Sequence, residues 1–346
     1  MRSLRSVSVT VLALLFAATA AIPAGEKPIL RLYAWSGFFA PDVLAQFEDE
    51  NDCIIALDNF DSNEAMLESL DDYDNVFDIV TPSSYMAMEM HRRGLLEDID
   101  HSLIPNLANI DRDFLALTED PEMDHSIVYT RTVTGVGFNM NRLGDVSPKS
   151  WSIFGRSDLA GKLTMLDDVR ESMGAALKFL GYSLNTTDEK ELAEAGELLR
   201  RWRANLAKFE VDEGNIGLGS GDYLAVQGYN GDVAVLMEEN DAIDFFVPEE
   251  GSAISTDVFV ILKGAKNREL AHRFVNNILE PAVAARNMAE ILYFMPVPEA
   301  LSLLDEEVRE SHFFAVPEAT MAKSEVIRDL GDHTSKYEAV WRTVIE

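Results

Sequence analysis

The chain has 346 residues, 47% hydrophobic and 26% charged, and 60 acidic against 29 basic side chains leave a net charge of −31. This length suits two domains or one large α/β unit, and this composition a core-forming globular protein. The negative field repels nucleic acid and anionic membranes and attracts cations, and the sole cysteine, Cys53, excludes an intramolecular disulfide.

Residues 1–24 read as a secretory signal peptide. Arg2 and Arg5 precede a short apolar run at 9–22, and small residues offer cleavage after Ala20 or Ala24. The run is short for a bilayer span, and no cysteine follows it to carry a lipid. "ILRLYAW" (29–35) is then a strand, and "APDVLAQFEDEN" a helix with Val43, Leu44 and Phe47 on one face. "CIIALD" (53–58) reads as a buried strand opened by an inert Cys53 thiol. "SNEAMLESL" is a helix capped by Ser62 or Asn63, "VFDIVTP" (76–82) a strand and "SYMAMEMHRRGLL" a helix. Repeated β-α-β units predict a parallel sheet with its strand C-termini along one edge, where ligands gather.

A Pro- and Asp-dotted stretch (101–125) leads to two expected strands, "SIVYTR" and "TGVGFNM". Alternation resumes with the strand "KLTML", helices at 169–181 and 188–206, and strands "DVAVLM" (232–237) and "STDVFVIL" (255–262). Residues 267–292 read as mostly helical. The expected architecture is α/β in two lobes, 25–135 plus about 258–300 and about 136–257 plus 301–346. The chain crosses between them near 133–140 and 253–258, on strands that can hinge.

Conventional catalytic motifs are absent. The six histidines (91, 101, 125, 272, 312, 333) have no zinc spacing, "GVGFNM" has Met140 where a dinucleotide loop needs its third glycine, and "GLGSGDY" is no nucleophile elbow. No cofactor or metal is expected. What recurs is an aromatic, hydroxyl or acidic group just after a strand. Trp35, Ser36, Phe38 and Phe39 follow the first strand, Ser83, Ser84 and Tyr85 the third, and Asp167, Asp168 and Glu171 the "KLTML" strand. Tyr229, Asp257 and Tyr293 occupy comparable places. Each has an ordinary use in a core or a cap, and Asp168 with Glu171 fits an N-terminal capping box. Together, aromatic faces and carboxylates without nearby Lys or Arg suit an alkyl chain with cationic ends.

At these residues the chain resembles the periplasmic spermidine/putrescine-binding proteins of bacterial ABC transporters. The resemblance rests on "LYAWSGFFAPDVLAQFE", "SNEAML", "FDIVTPSSYMAMEMHRRGLLEDID", "LTMLDDVRESMGAALKFLGYSLNTTD" and "VNNILEP". It implies a two-lobed periplasmic-binding-protein fold of type II, monomeric and periplasmic, that closes over a small cationic ligand and delivers it to a membrane ABC permease. It also implies ligand-binding roles for Trp35, Ser36, Phe38, Ser83, Tyr85, Asp168, Glu171, Tyr229, Asp257 and Tyr293. The chain departs from that family at Phe38 (commonly Tyr), Tyr229 (Trp), Ser255 (Trp) and Ile327 (Gln). Two alternatives stay open: the same fold binding another amine, an amino acid or a metal complex, and a secreted hydrolase using Asp168 and Glu171 as acid and base.

Overall fold

The computed structural model describes residues 27–72, 77–211, 213–309, 311 and 318–346, so the expected signal peptide lies outside the described residues. In chain order the elements are β1 (Ile29–Trp35), α1 (Pro41–Asn51), β2 (Ile54–Phe60), α2 (Asn63–Asp72), β3 (Ile79–Val80), α3 (Ser84–Arg92) and α4 (Arg112–Leu115). The middle of the chain forms β4 (Ile127–Asn139), α5 (Met140–Leu143), β5 (Leu163–Leu166), α6 (Val169–Phe179), α7 (Glu189–Arg203), β6 (Leu206–Glu210), α8 (Glu213–Ser220), β7 (Ala225–Tyr229), α9 (Asn230–Glu239) and β8 (Ile243–Phe246). Last come β9 (Ala253–Ile261), α10 (Arg268–Ile278), α11 (Pro281–Ile291), α12 (Pro298–Leu303), α13 (Glu306–Arg309), α14 (Glu318–Met321), β10 (Glu325–Val326) and α15 (Thr334–Ile345).

The early β-α-β reading holds. β1 runs parallel to β2 and β3 and buries every second residue, Leu30, Leu32 and Ala34. The helices between them start as their sequences suggest: Pro41 opens α1, and Ser62 Oγ accepts the Ala65 N–H at 3.1 Å ahead of α2. β2 differs from its expected burial. It ends the strand order β2-β1-β3-β9-β4-β7-β5-β6, and Ile54 and Leu57 are 46% and 37% exposed there. Cys53, just before it, is buried, and burial raises its thiol pKa, which keeps it unreactive.

The two strands expected at 126–140 are one, the thirteen-residue β4. The β-branched Thr132 and Val133 leave no turn between the two halves, and the register shift between Val128 and Thr130 is absorbed as an irregularity. The first half of β4 pairs antiparallel with β9 (Ile127↔Phe259 to Val133↔Ile254), and the second half with β7 and β8. Gly135 makes that second pairing possible: a Cβ there would lie 2.3 Å from the Phe245 ring and 2.5 Å from the Phe246 carbonyl. "DVAVLM" is helix, not strand. Val233, Leu236 and Met237, three and four residues apart, pack on one cluster from α9, and the strand is the preceding β7.

Two large apolar cores result. One gathers Leu30, Phe47, Ile127, Tyr129, Phe259, Phe274 and Met288. The other gathers Phe138, Trp151, Met165, Met173, Leu199, Trp202 and Tyr337. Leu301, Leu304 and Val308 pack with the first, and Trp341 and Val344 with the second. The molecule is therefore two-lobed, and β4 and β9 run from one lobe into the other.

Candidate functional site

Strand ends of both lobes converge on one cavity. The ten residues for which the resemblance implies a binding role line it, Trp35, Ser36, Phe38, Ser83, Tyr85, Asp168, Glu171, Tyr229, Asp257 and Tyr293, whereas Phe39, Ser84 and Asp167, which the strand-end pattern also offered, do not. The first group is set by the turn after β1, where Gly37 takes a left-handed φ of 66°. Trp35 then lies 4.5 Å from Phe60, ring to ring, and Phe38 5.7 Å from Tyr293.

Asp257, on β9, is one anionic centre. Ser83 Oγ donates to its Oδ1 at 2.9 Å and Thr130 Oγ1 to its Oδ2 at 3.1 Å. The Trp35 indole N–H is turned toward it, near enough to favour the carboxylate but outside hydrogen-bond geometry. Burial outweighs these donors and pushes Asp257 up to about 7. Ser83 stands at the N-cap of α3, yet its hydroxyl goes to Asp257 and not to the helix, so capping is not its role.

The second centre is the N-terminus of α6. Asp168 Oδ1 accepts the backbone N–H groups of Arg170 (2.8 Å) and Glu171 (3.0 Å), a true N-cap. The reciprocal half of the capping box is not made. Glu171 turns its carboxylate to Thr134 Oγ1 (2.7 Å) and Ser255 Oγ (3.3 Å). Burial, then the Asp168 charge, pushes Glu171 up to about 8, and burial raises Asp168 as well. Asp167 is exposed. One aspartate therefore caps the helix and lines the cavity at once.

The reading that no Arg or Lys lies near needs correction. Arg170 is 1% exposed beneath the site, held by the Arg328 carbonyl and Asn185 Oδ1 at 2.9 Å each, and its charge favours the ionised forms of Asp168 and Glu171. It does not line the cavity; among the described residues five carboxylates do, and no Lys or Arg.

Sequence reasoning missed three lining residues of consequence. Asn63, read as a cap, accepts the Ser83 N–H (3.0 Å) and donates to Ser83 Oγ (3.2 Å) and Tyr85 Oη (3.0 Å), fixing both on the wall. Asp232 accepts the Tyr293 hydroxyl, and Asp61 lies near the mouth. The signal for Asp232 was its place three residues after Tyr229, which puts it in the first turn of a helix. Reading "DVAVLM" as a strand hid it. Ser255 and Ile327 both line the cavity, the first bonded to Glu171 and the second buried.

A cavity holding several buried carboxylates with upward-shifted pKa values and no lining cation is electrostatically incomplete, and a cation would complete it. Among the described residues no group of three or more His, Cys, Asp or Glu is arranged to hold a metal ion.

Comparison with known proteins agrees with the resemblance seen in the binding-loop segments. The spermidine/putrescine-binding periplasmic protein of Escherichia coli (strain K12) is 32% identical over 327 residues, 92% of either chain. The putrescine/cadaverine-binding protein of Pseudomonas aeruginosa is 29% identical, over 92% of this chain and 93% of its own. Among solved structures, a putative spermidine/putrescine ABC transporter protein from Listeria monocytogenes superposes with a TM-score of 0.87 at 29% identity, over 92% of this chain and 99% of that one. The TpPotD lipoprotein of Treponema pallidum gives 0.82 at 34% identity, over 91% and 99%. The family model for bacterial extracellular solute-binding proteins matches residues 42–315. The chain belongs to that family, and so is a ligand-binding component of transport and not an enzyme.

Proposed function

We propose that the chain captures a polyamine of the putrescine/spermidine class between its lobes and hands it to an ABC permease. The observation that carries this is the pairing of separate anionic centres, Asp257 and the Asp168–Glu171 pair, with aromatic walls in one cavity. Each carboxylate supplies a charge-assisted hydrogen bond to an ammonium group. The faces of Trp35, Phe38, Tyr85, Tyr229 and Tyr293 cover the methylenes and attract the charged ends, Ser36 adds a hydroxyl, and buried Ser83 holds the Asp257 carboxylate in place. The names of the relatives, which bind spermidine, putrescine or cadaverine, support the same ligand class.

The lobes divide near 135/136 and 257/258 and, because Leu301, Leu304 and Val308 pack with the first core, beyond 308 and not at the expected 300/301; their closure excludes water and strengthens each contact. The protein works as a monomer in the periplasm after loss of residues 1–24. Calorimetry with putrescine, cadaverine, spermidine and spermine tests the reading, with lysine and arginine as controls. Saturable binding of at least one polyamine at micromolar concentration is expected. Silence to all four, or preference for an amino acid, refutes it.

A further inference from the structure

The acidic interior continues past the ligand cavity. Tyr85 forms a wall of that cavity and also of a second one, which Glu64 of α2 lines. Glu64 Oε1 is buried without a hydrogen-bond partner. In the other lobe, on α6, Arg170 has a buried Nε that also lacks one, although its terminal nitrogens are held. The Arg170 guanidinium sits 5.5 Å from the centre of the Tyr85 ring. Two opposite charges, each with an unsatisfied buried atom, thus lie on either side of the lobe boundary, Arg170 against the Tyr85 ring and Glu64 with Tyr85 in the wall of the second cavity. Such orphaned atoms are costly and call for a reason. The arginines that line the second cavity are occupied: Arg92 pairs with Glu89 and Asp329, and Arg93 with Glu89.

We propose that Glu64 and Arg170 are halves of an interlobe ion pair that forms when an ammonium group occupies the cleft, which makes Glu64 a positioning residue for ligand capture. This rests on the polyamine reading of the cleft. In the empty cavity Arg170 is a shared counter-charge for Asp168, Glu171 and Glu64. Burial first, then the Asp168 charge, pushes Glu64 up to about 7, and Glu338 of α15 adds to the repulsion. An ammonium group at Asp168 offsets that repulsion. Glu64 then ionises fully, and the Arg170 Nε–H is an unsatisfied donor in the opposite lobe whose charge already acts on it. Because the pair joins the lobes, its free energy appears only in the closed, loaded state, which is the differential interaction that couples occupancy to closure.

The test is calorimetry with putrescine and spermidine on wild type and Glu64→Gln, with melting temperatures without ligand and small-angle scattering with and without it. Glu64→Gln is expected to bind about tenfold more weakly and to contract less on loading. Its ligand-free melting temperature stays level or rises, because an unpaired buried charge has been removed. Loss of affinity with unchanged or higher stability is a signature that a merely structural role does not give. Affinity within about twofold of wild type, or a loss matched by a lower ligand-free melting temperature, overturns the ion pair. A wild-type protein silent to both polyamines overturns the reading beneath it, and the pair falls with it.

Discussion

Asp257→Asn isolates the charge of one anionic centre with little change of shape. The Asp257 carboxyl is buried, takes hydrogen bonds from Ser83 and Thr130, and is pushed up to about 7 from an ordinary 3.8. Losing a hydrogen bond to a charged ligand group in a closed site costs about 2–3 kcal/mol, a factor of about 30 to 150 in affinity. Stability moves the other way with pH. A carboxylate whose folded pKa is raised holds its proton longer in the folded state, so its contribution falls as pH rises from 3.8 to about 7 and is level above. The Asn variant lacks that fall, so without ligand it should lose less stability than wild type across this window. Urea unfolding at pH 5 and 7.5, beside calorimetry with putrescine and spermidine, measures both. Unchanged affinity would refute the assignment of Asp257 to the ligand; an identical pH dependence of stability would refute its buried, raised state.

Glu171 about 8 and Asp257 about 7 mean that the empty cleft is partly protonated at neutral pH. A cation favours the ionised forms, so binding should release protons and tighten as pH rises from 6 to about 8, as calorimetry in buffers of differing ionisation enthalpy would report. Thr134→Val removes a hydroxyl that favours ionised Glu171 and should weaken binding several-fold at pH 7, with the loss shrinking at pH 9. Gly135→Ala should destabilise the fold by about 1–3 kcal/mol in urea, since its Cβ meets the Phe245 ring and the Phe246 carbonyl. Leu57→Thr on the exposed edge strand should change stability by less than about 0.5 kcal/mol by the same measurement.

The sequence by itself determined much of this protein. The period of its apolar residues set most strands and helices, and aromatic, hydroxyl or acidic residues placed just after strands, narrowed by the family resemblance, marked ten side chains that line one cavity. These are local signals: a side-chain period and a turn are properties of neighbouring residues, legible without the fold. Tertiary structure decided what depends on distant partners. Ser83 meets an aspartate 174 residues away, so it serves Asp257 and not the helix it begins. "DVAVLM" contains strand-forming residues, yet packing against the strands before and after it makes it a helix, which turns Asp232 into the cleft. β2 looks like a core strand by composition and is exposed because only β1 flanks it. Arg170 is close in sequence to Asp168, but its place beneath Tyr85 follows from the two lobes meeting there. Which partner each buried polar group takes is fixed only when all of its neighbours are in place.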